Sequence, residues 1–228
     1  MVNTDYFFSS LRHSGVELFT GVPDSLLKDI CAYITDNTSP DNHIISANEG
    51  NAISIGIGHH LATKKVPLIY LQNSGLGNII NPLLSLADPD VFSIPMILLI
   101  GWRGEPGIED EPQHIKQGRV TIDLLNTMKI PYEVLSSKTT SEEADQIVKK
   151  MVKQASTSNT PCALLVKKGT FKSYKLKLDK YYDRDLYREE VIEIIINELN
   201  ADDIVISTTG VASRELFEYR HKKTQSHE

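Results

Sequence analysis

The sequence predicts an α/β fold: a doubly wound, six-stranded parallel sheet with helices on both faces, followed by an incomplete second α/β unit. Short apolar runs of strand length alternate with helical apolar patterns along most of the chain. This order is typical of βαβ units joined by right-handed crossovers. After about residue 172 the composition changes to a stretch rich in lysine, tyrosine and aspartate. We therefore place the doubly wound domain before that point.

The composition excludes several classes of protein. The 228 residues carry 24 basic and 30 acidic side chains, a formal net charge of −6. A general nucleic-acid-binding protein would instead show a basic stripe. No apolar run is long enough to span a membrane, and the start MVNTDYFFSS lacks the basic and apolar regions of a secretory signal. Cys31 and Cys162 lie in apolar runs, which indicates buried thiols. We expect a cytoplasmic protein that binds neither nucleic acid nor membrane.

The first half of the chain supplies four of the predicted strands. A helix at about residues 4–13 precedes the first strand, at residues 16–19. The next helix begins at Pro23-Asp24-Ser25, because proline suits a first helical turn and aspartate or serine suits its cap. The other three strands of this half are predicted at residues 44–45, 68–71 and 96–100.

The second half supplies the remaining two strands, at residues 132–135 and 163–166. The helix before the first of them has an apolar face formed by Val120, Leu124, Leu125 and Met128. Thr140 and Glu143 match a capping box, in which each side chain caps the backbone N–H of the other residue. They start a helix whose apolar face contains Ala144, Ile147, Val148, Met151 and Ala155.

The domain boundaries follow from these patterns. We assign residues 1–172 to the doubly wound domain, 173–188 to a linker and 189–228 to the start of a second domain. In the last part, a helix face (Val191, Ile194, Ile195 and Leu199), a strand at residues 204–207 and a short helix at residues 213–219 are predicted. A helix, a strand and a helix do not bury a core alone, so this unit is expected to be incomplete.

The stretch from His43 to Leu61 combines a strand, a turn and a helix around Glu49. We expect the strand to be buried and Glu49 to lie at the carboxyl edge of the sheet, where open α/β folds bind ligands. The alternative is structural, since Ser46 and Glu49 also fit a capping box. Gly56 and Gly58 each cost a helix about 0.5–1 kcal/mol relative to alanine, so we expect another backbone or a flat ligand close to them.

Three other loops are predicted at the same edge. The first contains Asp24 and Ser25, and the alternative to a functional role there is an ordinary helix start. The second, QNSGLGN at residues 72–78, offers amide donors and acceptors for a heterocycle and glycines that allow close approach, although it also fits an ordinary turn. The third, at residues 101–118, is long, as functional loops often are, and carries Arg103, His114 and Lys116. His114 fits a proton donor, an anion ligand or a surface histidine.

Taken together, these loops resemble the pyrimidine-binding half of the thiamine-diphosphate-dependent 2-oxo acid decarboxylases. The resemblance covers the whole chain and is greatest to phosphonopyruvate decarboxylases, with sulfopyruvate decarboxylase α subunits as near relatives. It rests on the segments TGVPDSLL, ISANEGNAISIGIGHHLAT, YLQNSGLGNIINPL, GWRGEPGIEDEPQHIKQGR and, in the tail, STTGVASRELFE.

The resemblance implies roles for individual residues. Glu49 would hydrogen-bond N1′ of the cofactor's aminopyrimidine, and it would be the catalytic residue together with His114. The residues lining the pyrimidine would be Glu49, Gln72, Asn73, Ser74, Gly75 and Asn78. The residues contacting the substrate would be Asp24, Ser25, Arg103, His114 and Lys116.

The implied cofactors are thiamine diphosphate and Mg²⁺. Families of this kind hold the diphosphate and the metal through a Gly-Asp-Gly motif followed by an asparagine, and this sequence lacks that motif. The metal ligands are therefore expected outside the chain. They would lie on another copy in a homo-oligomer, at least a dimer, or on a diphosphate-binding partner chain.

The expected reaction is decarboxylation of 3-phosphonopyruvate to phosphonoacetaldehyde and CO₂, a step of phosphonate biosynthesis. The alternatives are an α-type subunit of a sulfopyruvate decarboxylase and a non-catalytic assembly module. A doubly wound nucleotide-binding domain is disfavoured, because the first strand-to-helix turn, TGVPDS, does not match GxGxxG.

Overall fold

The computed structural model describes residues 1–177, 185–200, 202–208 and 210–225, and for residues 224 and 225 it describes the backbone alone. The chain divides into two compact units, Met1–Leu178 and Asp179–Glu228. The first unit contains a six-stranded sheet with the order β2-β1-β3-β4-β6-β5, in which every neighbouring pair is parallel. Its strands are β1 (Phe19–Gly21), β2 (His43–Ile45), β3 (Leu68–Gln72), β4 (Met96–Gly101), β5 (Tyr132–Leu135) and β6 (Pro161–Val166).

Helices cover both faces of this sheet, which confirms the predicted doubly wound fold. The helices are α1 (Thr4–His13), α2 (Lys28–Asn37), α3 (Glu49–Thr63), α4 (Leu76–Pro82), α5 (Pro112–Thr127) and α6 (Ser141–Ser158). Buried side chains of α1, α2 and α6 form one core layer with the sheet, and those of α3, α4 and α5 form the other. Along β3, Leu68 and Tyr70 face the first layer, while Ile69 and Leu71 face the second. This double burial explains why the central strands are continuously apolar.

Two strands differ from the prediction. Pairing of β1 with β2 and β3 begins at Phe19 and runs to Gly21, so this strand lies later than residues 16–19. Val16 and Leu18 are buried apolar residues that precede it. The strand β2 is not buried, because it is the edge of the sheet and Ile45 is 61% exposed. An apolar run alone does not distinguish an edge strand from a central one.

Two helix starts illustrate what local sequence determines. The capping box of Thr140 and Glu143 is confirmed at the start of α6, with the Glu143 N–H donating to Thr140 Oγ1 at 3.1 Å. The predicted loop at residues 101–118 is wrong in its second half, because α5 begins at Pro112. Proline fits the first helical position, where no backbone N–H is required. His114 and Lys116 therefore lie on a helix.

The second unit contains two helices in its described residues, α7 (Arg188–Glu198) and α8 (Val211–Gln225). The strand predicted at residues 204–207 does not form there, and Ile204 and Ile206 are 91% and 93% exposed. A strand needs a partner for its backbone hydrogen bonds, and the described part of this unit offers none. On α7, Ile196 is buried, whereas Val191 and Ile194 of the predicted face are exposed. None of the helices in the described residues is both long enough and apolar enough to cross a membrane.

Candidate active site

The chain reverses its direction across the sheet between β1 and β3. From β1 it moves outward to β2, then returns to β3 on the other side of β1. Such switch points open a crevice at the carboxyl ends of the two strands, where open α/β folds bind ligands. Here Gln72, the last residue of β3, donates from Nε2 to Asp24 Oδ1 at 2.6 Å, while its own Oε1 accepts from Ser74 Oγ at 2.7 Å. The loops after β1 and β3 are thereby joined.

Asp24 is buried, with 5% of its surface exposed, and its second oxygen has a structural role. Oδ2 accepts from the Leu26 N–H at 2.9 Å and caps the short 3-10 turn Ser25–Leu27. A Cβ atom at Gly101, at the end of β4, would lie 2.1 Å from Asp24 Oδ2. Only glycine at that position leaves room for the carboxylate, and the turn presents Ser25 at the sheet edge.

The carboxylate of Glu49 is not used for helix capping. Asn48 caps α3, accepting from the Gly50 N–H at 2.8 Å, and the Ser46 hydroxyl instead bonds the Thr20 hydroxyl at 3.0 Å. The predicted capping box of Ser46 and Glu49 is therefore wrong, because β1 provides Ser46 with a buried partner. Glu49 becomes the first residue of α3, and its side chain is free for another role.

Asn78 and Gly75, which both follow β3 in the chain, contact the Glu49 side chain. Asn78 Nδ2 donates to Glu49 Oε2 at 2.7 Å. A Cβ atom at Gly75 would lie 2.5 Å from Glu49 Oε1, so the carboxylate lies directly against the Gly75 backbone. Asn78 bonds Oε2, and no hydrogen bond to Oε1 occurs among the described residues. A carboxylate oxygen can accept a hydrogen bond from a protonated ring nitrogen.

The glycines of α3 have different environments. A Cβ atom at Gly56 would lie 3.0 Å from Ile69 Cδ1, so side chains of the first unit, and not the expected backbone or flat ligand, pack against this glycine. Gly58 has no atom within 4 Å of the corresponding position, and Leu61, one turn later, is exposed. The outer side of α3 is therefore open surface.

Asn73 is fully buried and ties three elements together. Its Nδ2 donates to the Arg103 carbonyl at 2.8 Å and to Thr121 Oγ1 at 2.9 Å, and its Oδ1 accepts from the Arg103 N–H at 3.0 Å. These bonds link the turn after β3 with the loop after β4 and with α5. The side chain thus holds the shape of the edge, and both its donor hydrogens are used.

The Arg103 side chain, in the loop after β4, forms hydrogen bonds with Asp110 and Ser25. Its Nε donates to Asp110 Oδ2 at 2.8 Å, its Nη2 to Asp110 Oδ1, and its Nη1 to Ser25 Oγ at 2.9 Å. The backbone N–H groups of Gly104 and Glu111 also donate to Asp110, at 2.8 Å each. The hydrogen bond from Arg103 holds the pKa of Asp110 well below its ordinary value. The same bond raises the pKa of Arg103.

His114 and Lys116, both on the first turns of α5, lie beside this loop. Gly104 packs against the His114 carbonyl, where a Cβ atom would approach to 2.0 Å. The Nδ1 atom of His114 is buried and has no hydrogen-bond partner within the described residues. Lys116 is exposed. The hydrogen bonds therefore form two groups at this edge. One joins Asp24, Gln72 and Ser74, and the other joins Asn73, Arg103 and Ser25. His114 and Lys116 belong to neither group.

A cleft of about 290 Å³ opens between the turn after β1 and the loop after β4. It is lined by Ser25, Leu26, Trp102, Arg103, Glu105, Ile108, Glu109, Asp110 and Lys168. The site prediction omitted Asp110, Trp102 and Lys168. The position of Lys168 just after β6 was a usable signal, because the carboxyl ends of parallel strands share one edge. Nothing local distinguishes Asp110 from its acidic neighbours Glu109 and Glu111.

Acid should destabilise the first unit partly through Asp110. The folded-state pKa of this carboxyl lies below the unfolded value of about 3.9, so the pair stabilises the fold above that pH and its contribution is lost as the pH falls further. We expect Asp110→Asn to lower the free energy of unfolding at neutral pH. Between about pH 5 and pH 2, the free energy of unfolding of the variant should fall less steeply than that of the wild type. Denaturant unfolding of the wild type and the variant over that pH range measures both effects. Parallel stability curves would show that Asp110 does not contribute to acid unfolding.

Comparison with known protein families places the chain among the thiamine pyrophosphate enzymes. Residues 1–125 match the family described as "Thiamine pyrophosphate enzyme, N-terminal TPP binding domain". This match covers more than half of the 228 residues, and the chain belongs to that family. Thiamine pyrophosphate is another name for thiamine diphosphate, so the cofactor expected from the sequence is confirmed.

Two of the proteins that are similar to this chain are named as a decarboxylase and a decarboxylase subunit. Phosphonopyruvate decarboxylase of Streptomyces viridochromogenes is 29% identical over 95% of this chain and 57% of its own length. The sulfopyruvate decarboxylase subunit alpha of Methanococcus maripaludis is 33% identical over 70% of this chain and 90% of its own length. The chain spans a little over half of the phosphonopyruvate decarboxylase that it matches.

A solved structure supports the fold. A 2-oxoglutarate:ferredoxin oxidoreductase from Magnetococcus marinus matches 99% of this chain and 44% of its own, with a TM-score of 0.51 and 15% sequence identity. At that identity the likeness extends to the fold alone.

The residues present fit the pyrimidine end of the cofactor. Gly75 leaves the space that the Glu49 carboxylate occupies, and one oxygen of that carboxylate is not bonded to Asn78. In the described part of the chain, no group of three or more histidine, cysteine, aspartate or glutamate side chains is arranged to hold a metal ion. The expectation that Mg²⁺ ligands lie elsewhere stays a prediction.

Proposed function

We propose that this chain supplies the pyrimidine-binding part of a thiamine-diphosphate-dependent decarboxylase that converts 3-phosphonopyruvate to phosphonoacetaldehyde and CO₂. The observation that carries the proposal is the Glu49 carboxylate, which is released from helix capping and held by Asn78 against Gly75. Family membership and the phosphonopyruvate decarboxylase relatives support the choice of cofactor and reaction.

In this proposal Glu49 exchanges a proton with N1′ of the aminopyrimidine. Asn78 would keep the carboxylate oriented, and the Gly75 backbone would bring the ring close to it. When bound, thiamine diphosphate supplies the electron sink that decarboxylation of a 2-oxo acid requires. Gln72, Asn73 and Ser74 would maintain the turn around the ring, with Asn73 acting through the loop after β4 rather than by direct contact.

The substrate would lie in the cleft beside Ser25 and Arg103. A phosphonate needs cationic or N–H donors. Arg103 is largely neutralised by Asp110, so Lys168 in the cleft wall and Lys116 on α5 are the better candidates for long-range attraction. Asp24, by contrast, is buried and already accepts two hydrogen bonds, which supports a positioning role.

Sulfopyruvate is the second candidate substrate, because sulfopyruvate decarboxylase α subunits are also relatives of this chain. The test is a screen of the assembled enzyme, this chain together with its diphosphate-binding part, against 3-phosphonopyruvate and 3-sulfopyruvate. We expect thiamine-dependent CO₂ release with the phosphonate and weaker release with the sulfonate. The reverse preference would assign the chain to the sulfonate enzymes, and no release from either would favour a non-catalytic assembly module.

The partner that completes the site would be a second copy of the chain or a diphosphate-binding chain that carries the Mg²⁺ ligands. Exposed apolar side chains at the β2 edge and on α3, namely Ile44, Ile45 and Leu61, support an assembly surface on that side. Exposed patches of this kind commonly mark protein–protein contacts.

His114→Ala should chiefly impair use of the substrate. Its backbone carbonyl packs against Gly104 in the loop that carries Arg103, and its Nδ1 is buried without a partner in the described residues. We expect kcat/KM to fall by about 10²-fold, the lower range for loss of an acid–base group, while the affinity for thiamine diphosphate stays nearly constant. Steady-state kinetics and cofactor titration measure the two effects. Many-fold weaker cofactor binding with unchanged KM would contradict a substrate-side position.

A further inference from the structure

We propose that Asp110 and Arg103 are positioning residues that hold the Ser25 hydroxyl as a hydrogen-bond donor toward the substrate in the adjacent cleft. The inference rests on the proposed function for the identity of the substrate, a small 2-oxo acid. It concerns a relay of three side chains from two loops that are far apart in the sequence. Asp110 fixes Arg103, and Arg103 orients Ser25.

The backbone of Ser25 is fixed before its side chain is considered. Asp24 caps the 3-10 turn Ser25–Leu27 through the bond from the Leu26 N–H, and the Leu27 N–H donates to the Asp24 carbonyl at 3.1 Å. Asp24 is itself bonded to Gln72 at the end of β3. Ser25 therefore stands at a defined point of the sheet edge, and what remains variable is its hydroxyl.

The bond from Arg103 determines what that hydroxyl can do. Arg103 Nη1 lies 2.9 Å from Ser25 Oγ, and a guanidinium group has donors but no acceptor. Ser25 must therefore accept this bond, and its own proton must point to another acceptor. No other hydrogen bond of this hydroxyl occurs among the described residues. Because Ser25 lines the cleft, a bound substrate oxygen is the natural acceptor, and the neighbouring positive charge strengthens the donor.

Asp110 makes the orientation of Arg103 unique. The carboxylate accepts from Nε and Nη2 of the guanidinium and from two backbone N–H groups, so all four bonds act on one rigid pair. The side chains of Arg103 and Asp110 are only 20% and 13% exposed, which limits screening by solvent. With its charge matched by Asp110, Arg103 serves as a directed donor to Ser25 more than as a site for a substrate anion.

The first test needs no substrate. In the variant Ser25→Cys, the introduced thiol should lie beside the guanidinium, and a neighbouring cation lowers a thiol pKa below its ordinary value of about 8.5. The pKa is read from the pH dependence of alkylation by iodoacetamide in the 228-residue chain. The two native thiols are not expected to react with iodoacetamide, because burial raises the pKa of Cys31 to about 12 and that of Cys162 to about 11.

Second substitutions then test each link. Adding Arg103→Gln to Ser25→Cys should return the thiol pKa to about 8.5. Adding Asp110→Asn should also raise it, because Arg103 loses the partner that orients it. If Asp110 acted only through its charge, its removal would lower the thiol pKa instead, and that result, or no change, would overturn the relay. Glu133→Gln is the matched control, because Glu133 forms an ion pair with Lys150 away from the cleft, and it should have no effect.

The second test uses the assembled enzyme and 3-phosphonopyruvate. Ser25→Ala and Asp110→Asn should each lower kcat/KM about 10-fold relative to wild type. The double variant should also lose about 10-fold in kcat/KM, because both substitutions remove the same donor. Multiplied losses of about 100-fold would refute coupling. If circular dichroism shows that Asp110→Asn does not fold, Arg103→Lys replaces it, since one ammonium group does not bridge Asp110 and Ser25 in the same geometry. If wild-type enzyme turns over neither substrate, the proposed function fails, while the thiol test still decides the relay.

Discussion

Glu49→Gln should reduce kcat of the assembled enzyme by on the order of 10³-fold, within the range expected for loss of a proton-transfer group. Glutamine has the same length and still accepts a hydrogen bond from Asn78, but it does not exchange a proton with a ring nitrogen. Folding should be unaffected, because Asn48 and not Glu49 caps α3. Turnover, together with the unfolding midpoint of the variant, measures the two expectations.

Glu143→Gln is the appropriate control for this variant. Glu143 is a glutamate in a genuine capping box, on α6, so its replacement alters a helix start without touching the carboxyl edge of the sheet near Glu49. It should retain full activity, since glutamine also serves a capping box. An active Glu49→Gln enzyme would remove Glu49 from the catalytic mechanism.

Gly75→Ala should impair the enzyme almost as severely, although it changes no polar atom. The added Cβ would lie 2.5–2.7 Å from three atoms of the Glu49 side chain, closer than such contacts allow. The backbone of Gly75 has φ −76° and ψ −7°, a conformation that alanine adopts without strain. The steric effect therefore falls on the Glu49 carboxylate. We expect turnover to fall by about 10²-fold or more and cofactor affinity to fall with it.

Gly77→Ala separates this effect from a general effect of alanine in the same turn. No atom lies within 4 Å of the Cβ position at Gly77, which is in α4. Alanine there should leave activity unchanged and stabilise the helix by about 0.5–1 kcal/mol. Comparing kcat, cofactor titration and thermal unfolding for the two variants provides the test. Equal losses of activity in both would mean that the turn, and not the position of Glu49, is sensitive.

The fold was largely predictable because its signals are local. Continuous apolar runs predicted the central strands, since residues such as Ile69 and Tyr70 are buried on opposite faces of the sheet. The start of α5 at Pro112 was also present in the sequence as a proline at a first helical position, but the length of the loop concealed it. The strand predicted at residues 204–207 did not form in the described residues, because an apolar run becomes a strand only beside a partner.

The order of amino acids was enough to specify the residue types at the carboxyl edge and the alternation of strands and helices. It also specified local devices such as the capping box of Thr140 and Glu143. Tertiary structure decided which polar groups meet. Thr20 on β1 binds Ser46, Asn78 binds the Glu49 carboxylate, and Asp110 rather than its acidic neighbours binds Arg103. In the unfolded chain water satisfies these polar groups, and the sequence contains several chemically equivalent partners for each of them. Only the order of the strands, which brings distant loops to one edge, selects among them.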